Sequence, residues 1–144
     1  MDIPKADVGG IHVKQQSISE LTALIVDFSE HIRALMNMHL RNEGLKEVFQ
    51  VADGVAAIEK YRQVRPSIVF VDFILPKMNG LTVLKQLKQI DPQAKVVIVT
   101  AVSSIEIVRL AKDLGASYYI LKPWQPNKLS EVLRFVFNIQ GDKK

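Results

Sequence analysis

The chain has 144 residues, enough for one domain with an ordinary core. Its hydrophobic content of 48%, mostly aliphatic, excludes a disordered chain, and the absence of cysteine excludes disulfides and thiolate metal sites. The net charge is +4, but Lys60, Arg62, Lys77, Lys85, Lys88, Lys95 and Lys112 stand singly among acids with no interleaved aromatics, which is the pattern of a solvated surface and not of a nucleic-acid interface.

In chain order, residues 1–20 mix charge, Gly9-Gly10 and Gln15-Gln16 without sustained periodicity and read as a flexible leader. Ser17 and Glu20 have capping-box spacing, but an apolar run follows at once, so no long helix is expected. Thr22 to Val26 is a short apolar strand ending at Asp27. Ile32, Leu35, Met36, His39 and Leu40 recur at helical spacing, closed by Asn42-Glu43-Gly44. Val48 to Ala52 is a second strand, turned by Asp53-Gly54. Ala57, Ile58 and Tyr61 mark a second helix that ends before Pro66.

The third strand is Ile68 to Val71, and Leu81 to Ile90 is a helix stopped by Asp91-Pro92. Lys95 to Thr100 is the fourth strand. Ser103 and Glu106 form a candidate capping box for a helix that ends at Gly115. Tyr118 to Leu121 is the fifth strand. A last helix starts near Pro126 and buries Leu129, Val132, Leu133 and Val136, and residues 141–144 fray. Five strands alternating with five helices, the strands apolar throughout, imply a doubly wound α/β fold with a parallel sheet covered on both faces over residues 21–140. No apolar run approaches a membrane span and Met1-Asp2-Ile3-Pro4-Lys5 does not open a signal peptide, so the expected location is cytoplasmic.

Strand ends of a parallel sheet share one edge, and ligands bind in the crevice there. Asp27, Asp72, Thr100 and Lys122 each lie at such an end or one residue beyond it. Two carboxylates, a hydroxyl and an ammonium should therefore meet. Carboxylates suit a hard divalent cation such as Mg²⁺. One carboxylate can act as a nucleophile toward phosphorus, with lysine and threonine neutralising and hydrogen-bonding the transferred group.

With Asp72-Phe73-Ile74-Leu75-Pro76-Lys77-Met78-Asn79-Gly80, Val99-Thr100-Ala101 and Gly115-Ala116-Ser117-Tyr118-Tyr119-Ile120-Leu121-Lys122-Pro123 in order and on the right strands, the chain resembles the response-regulator receiver domain of two-component signalling over about residues 21–140. The resemblance implies a flavodoxin-like (βα)5 fold with sheet order 2-1-3-4-5. It implies Asp72 as phosphoacceptor, Thr100 and Lys122 on the phosphoryl group, and Thr100 with Tyr119 as the switch pair. Mg²⁺ would be held by Asp27, Asp72 and the backbone carbonyl of Ile74. The peptide before Pro123 is a candidate for the cis form. Expected partners are a sensor histidine kinase or phosphotransfer protein, a downstream protein target, and a second copy through the face of the fourth helix, fifth strand and fifth helix. That face carries Phe135 on an otherwise polar helix stripe of Lys128, Glu131 and Asn138. No output domain is expected after Gly141, and the signal is expected to leave by protein contact. The chain is expected not to be an enzyme beyond self-catalysed phosphoryl transfer and slow autodephosphorylation.

One position departs from the family pattern of two adjacent acids after the first strand: here they read Asp27-Phe28. A one-residue slip that puts Val26 first and Asp27 second needs compensating gaps, and one carboxylate is missing either way. Metal affinity should fall, because ligand charge sets it, with Glu30 close in sequence but expected exposed. Phosphorylation should then be slower or need more Mg²⁺, and a phosphate-independent interaction module is the alternative. Ile74 and Val102 are apolar and cannot orient an attacking water, which implies a long-lived phosphoryl group, unless they pack against neighbouring loops. An aspartate-nucleophile phosphatase would need an acid where Ser29 stands, and no glycine-rich nucleotide loop occurs. His39 reads as a packed, hydrogen-bonded residue, His12 and His31 as exposed, and Met36 and Met38 as gap-filling residues.

Overall fold

The computed structural model describes residues 16–139 and, ahead of them, the short stretches Asp7–Val8 and Ile11–His12, which pair antiparallel. The remaining expectations for the leader, and those for the 141–144 tail and the His12 side chain, lie outside the described residues. The main sheet has five parallel strands, β1 (Thr22–Val26), β2 (Glu47–Val51), β3 (Ile68–Val71), β4 (Val96–Thr100) and β5 (Tyr118–Leu121), in the order β2-β1-β3-β4-β5. Between and after them run α1 (Glu30–Asn42), α2 (Gly54–Val64), α3 (Gly80–Ile90), α4 (Ile105–Asp113) and α5 (Lys128–Phe137). This is the doubly wound order expected from the sequence.

The period of two along each strand divides the core. Ala23, Ile25, Ile68, Phe70, Val97 and Val99 face α1 and α5, where they meet Met36, Leu40, Leu129, Val132 and Leu133. Leu24, Val26, Val69, Val71, Val96 and Ile98 face the other way, onto Ile58, Tyr61, Leu84 and Leu87 of α2 and α3 and Ala111 of α4. Each fully buried Leu, Ile, Val or Phe contributes about 1.5–3 kcal/mol, so both layers hold the strand tips in fixed register.

Several boundaries shift by a residue or two. β2 begins at Glu47 and ends at Val51, one residue earlier than its apolar pattern suggests. α4 is capped by Ser104, whose Oγ accepts the Ile107 N–H, and not by Ser103; adjacent serines offer the same cap, and backbone direction chooses between them. α5 starts at Lys128, after Pro126 and the cap residue Asn127. Ser17–Glu20 does use its spacing, with the Ser17 N–H donating to Glu20 Oε1 at 3.1 Å, but closes only a 3-10 turn. Met36 is buried as expected; Met38 is about half exposed and fills no gap.

Candidate functional site

β1 carries its ladder one step past Val26, the Asp27 N–H donating to the Val51 carbonyl at 3.2 Å. The Asp27 carboxylate, nearly fully buried, turns back on its own loop, where Oδ1 accepts the Ser29 N–H at 2.9 Å. Ser29 in turn caps α1, its Oγ accepting the Ile32 N–H. Arg33 reaches back from the first turn of α1, and Nη1 donates to the carbonyls of Asp27 at 2.8 Å and Phe28 at 3.1 Å.

Asp72 follows β3, its N–H donating to the Val26 carbonyl at 3.0 Å, so the two acids sit on neighbouring strand tips. Asp72 Oδ1 accepts the Ile74 N–H at 3.1 Å. The start of α3 presses against this residue. A Cβ on Gly80 would lie 2.2 Å from the Asp72 backbone oxygen, so only glycine fits there.

Lys122 comes from the tip of β5, tied to β4 by its N–H on the Thr100 carbonyl at 2.9 Å. Its Nζ donates to Asp27 Oδ2 at 2.6 Å and Asp72 Oδ2 at 2.7 Å. Burial by itself lowers the ammonium's pKa, but the hydrogen bonds and charges of Asp27 and Asp72 outweigh it and raise the group above its ordinary value. The lysine therefore stays charged across the neutral range. With two carboxylates and one ammonium the trio keeps one net negative charge. Every carboxylate oxygen in it has a donor, so both planes are fixed.

The expected convergence thus holds for Asp27, Asp72 and Lys122. Thr100 is buried on the adjacent tip and meets the trio only through its backbone carbonyl; its hydroxyl is turned away, Oγ1 accepting the Val102 N–H at 3.4 Å. Tyr119 is half-buried, and its hydroxyl donates to the Val102 carbonyl at 2.6 Å. Burial, and then the charge of Asp72, push its phenol pKa up. The Lys122-Pro123 peptide is cis.

Phe28 is 66% exposed, and the ring stands in solvent instead of covering the carboxylates. Val26 is buried under α2 and α3, so neither neighbour of Asp27 offers a second group to the pocket. Glu30 is exposed, as expected. Ile74 is 61% exposed and Val102 half-buried, so packing between loops does not account for Ile74. Two contributors were not found by sequence reasoning. One is the Arg33 clamp. The other is Trp124, whose indole N–H donates to His39 Nδ1 at 3.2 Å; His39 is the hydrogen-bonded residue its position suggested. Phe135 is 68% exposed and packs edge-on against Tyr118 at 5.5 Å between centroids.

The response regulator receiver domain family model matches residues 23–134. The chain is 34% identical to the chemotaxis protein CheY of Thermotoga maritima over 113 residues, 78% of this chain and 94% of that protein. It is 33% identical to sporulation initiation phosphotransferase F of Bacillus subtilis over 111 residues, 77% of this chain and 89% of that one. Among solved structures, the CheX–CheY–BeF3–Mg²⁺ complex of Borrelia burgdorferi is similar with a TM-score of 0.78 and 29% identity, covering 81% of this chain and 89% of that chain. A CheY-like receiver of Methanospirillum hungatei gives a TM-score of 0.79 at 28% identity, covering 83% and 95%. From its strand order, its acid pair and these relatives together, the chain belongs to the response regulator receiver family of two-component signalling.

Proposed function

We propose that the chain is a phosphoacceptor receiver in which Asp72 takes a phosphoryl group from a histidine kinase or phosphotransfer protein and passes the signal on by protein contact. The observation that carries this reading is the Lys122 ammonium, 2.7 Å from Asp72 Oδ2 and bound also to Asp27. An Asp72 oxygen attacks phosphorus, the bond from phosphorus to the donor imidazole nitrogen breaks, and its electron pair stays on that nitrogen. Lys122 already sits where the added negative charge accumulates and follows the phosphoryl oxygens. Thr100 is one strand away, and rotation of its hydroxyl toward the phosphoryl group frees the space that Tyr119 then senses. Exposed Phe135, edge-on to half-buried Tyr118, lies on the α4–β5–α5 face and suits a downstream protein or a second copy. Among the described residues no helix is long and apolar enough to cross a membrane, and the cytoplasm is the proposed location.

The donor set suits a hard divalent cation. Asp27, Asp72 and the Ile74 carbonyl are the oxygen groups that would hold it, and Mg²⁺ is a cation that accepts water for the rest of its ligands. Phe28 stands where the family pattern has a second acid, so the pocket offers one carboxylate fewer and its affinity for Mg²⁺ is expected to be weaker. When bound, the cation neutralises charge on the transferring phosphoryl group. The chain's own residues fix the Asp72 carboxylate through the Ile74 N–H and hold Lys122 on it.

A phosphate-independent interaction module is the second reading, and Phe28 in place of the second acid is the observation in its favour. Incubation with acetyl phosphate and Mg²⁺, followed by mass spectrometry, separates the two. The phosphoacceptor reading expects one added phosphoryl group in the wild type and none in Asp72→Asn. No addition at high Mg²⁺, with no beryllofluoride binding, leaves the interaction module.

A further inference from the structure

The connection from β5 to α5 carries Lys122 at its start and, two residues on, Trp124, the chain's sole tryptophan. Trp124 leans back on α1, where its Nε1 donates to His39 Nδ1 at 3.2 Å and the rings meet edge-on, 6.2 Å between centroids at 84°. An indole N–H can only donate. His39 Nδ1 therefore presents a lone pair, and the imidazole proton is assigned to Nε2. Trp124, with Ile32, Leu35, Ala101 and Pro123, walls a crevice of about 350 Å³ that also takes in Lys122. The same helix holds the other half of the pocket, since Arg33 clamps the carbonyl of Asp27. α1 thus grips Asp27 at one end, through Arg33, and the Lys122 loop farther along, through His39.

We infer that His39 is a positioning residue for the acid pocket: its Nδ1 lone pair holds Trp124, and with it the loop bearing Lys122, against α1. The consequence for phosphate rests on the phosphoacceptor reading; the bond itself does not. His39 has no ion-pair partner among the described residues. On its own helix Glu43 stands one turn on, and Arg41 is held by Asn37. On the elements packed against α1, Lys122 is held by Asp27 and Asp72, and Lys128 at the start of α5 by Glu131.

The test follows Trp124 emission and beryllofluoride affinity in the full chain for the wild type, His39→Gln and His39→Ala. A glutamine amide oxygen accepts the indole bond, and alanine offers no acceptor. The wild type and His39→Gln should share the docked emission, and His39→Ala should show the undocked emission. Beryllofluoride affinity with Mg²⁺ should fall about fivefold in His39→Ala, the effect of one neutral hydrogen bond, and His39→Gln should restore it. Wild-type emission in His39→Ala overturns the bond. Equal beryllofluoride affinities in the wild type and His39→Ala overturn the positioning role while leaving the phosphoacceptor reading intact. If the wild type binds no beryllofluoride, that reading fails and the positioning role fails with it, and the emission of the two variants alone decides whether the bond exists.

Discussion

The two loops that bring carboxylates to Lys122 are held by different means. The loop after β3 is fixed by steric contact. Gly80 admits the Asp72 carbonyl where no Cβ fits, Gly54 approaches the Met78 carbonyl where a Cβ would stand 2.9 Å away, and Lys77 takes a left-handed φ of 70° inside a tight Pro76–Met78 turn closed by a 2.7 Å hydrogen bond. The loop after β1 has no glycine or proline. It is held by side-chain hydrogen bonds: Asp27 Oδ1 on the Ser29 N–H, Ser29 Oγ on the Ile32 N–H, and Arg33 on two carbonyls. The proposed acceptor Asp72 therefore sits on the rigid, sterically fixed loop and its helper Asp27 on one held by hydrogen bonds alone. That division puts the nucleophile where substitution of a single glycine should matter most.

The contrast is sharpest at Gly80. Gly80→Ala sets a methyl against the Asp72 carbonyl oxygen and carbon and forces the whole loop outward. We expect a loss of about 3 kcal/mol, the upper range for overpacking, measured as a drop in the urea midpoint at unchanged slope. Asp72 should also part from Lys122, so beryllofluoride binding should weaken with stability. A near-neutral result would mean that this loop yields as easily as its neighbour.

Arg33→Gln probes the other loop. It removes a charged donor from the part-buried Asp27 carbonyl and from the exposed Phe28 carbonyl, where water can replace it. The expected cost is about 1 kcal/mol in the same unfolding measurement, well below that of Gly80→Ala. A loss as large as that of Gly80→Ala would erase the distinction between the loops.

What the sequence made legible follows the same division. Four- and five-residue apolar runs spaced by helical patterns left no other fold than a covered parallel sheet, and the strand tips then placed Asp27, Asp72 and Lys122 together. The rigid loop announces itself through Pro76, Asn79 and Gly80, residues whose backbone demands are local. Arg33 announces nothing. An arginine in the first turn of a helix reads as a solvated surface residue, and its hold on two carbonyls appears only when the loop folds back over it. Trp124 and His39 are 85 positions apart, so His39 could be read as a bonded residue but its partner could not be named. The choice of Ser104 over Ser103 was equally closed to pattern reading, because both serines precede the same apolar stripe and only the backbone angles at the cap separate them.

The smallest expected effect concerns the side of the rigid loop that faces α2. Asp53 caps α2, its Oδ1 accepting the Ala56 N–H at 2.8 Å, and its Oδ2 lies 3.5 Å from Nζ of Lys77. The Ala56 hydrogen bond chiefly, with the Lys77 charge adding, holds the carboxyl pKa below its ordinary value against the opposing effect of burial. A group whose folded pKa is depressed adds stability above its unfolded pKa and loses it as the pH falls through the folded value. Asp53→Asn keeps the cap, since an amide oxygen serves as well, and removes only the charge. The Lys77 ammonium is well exposed, so the deficit at neutral pH should be no more than about 0.5 kcal/mol. That deficit should close as the pH is lowered below the ordinary carboxylate range, in paired urea titrations of the two proteins. If it persists in acid, the link between the α2 cap and Lys77 is geometric and not electrostatic, and the rigid loop owes nothing to charge on that side.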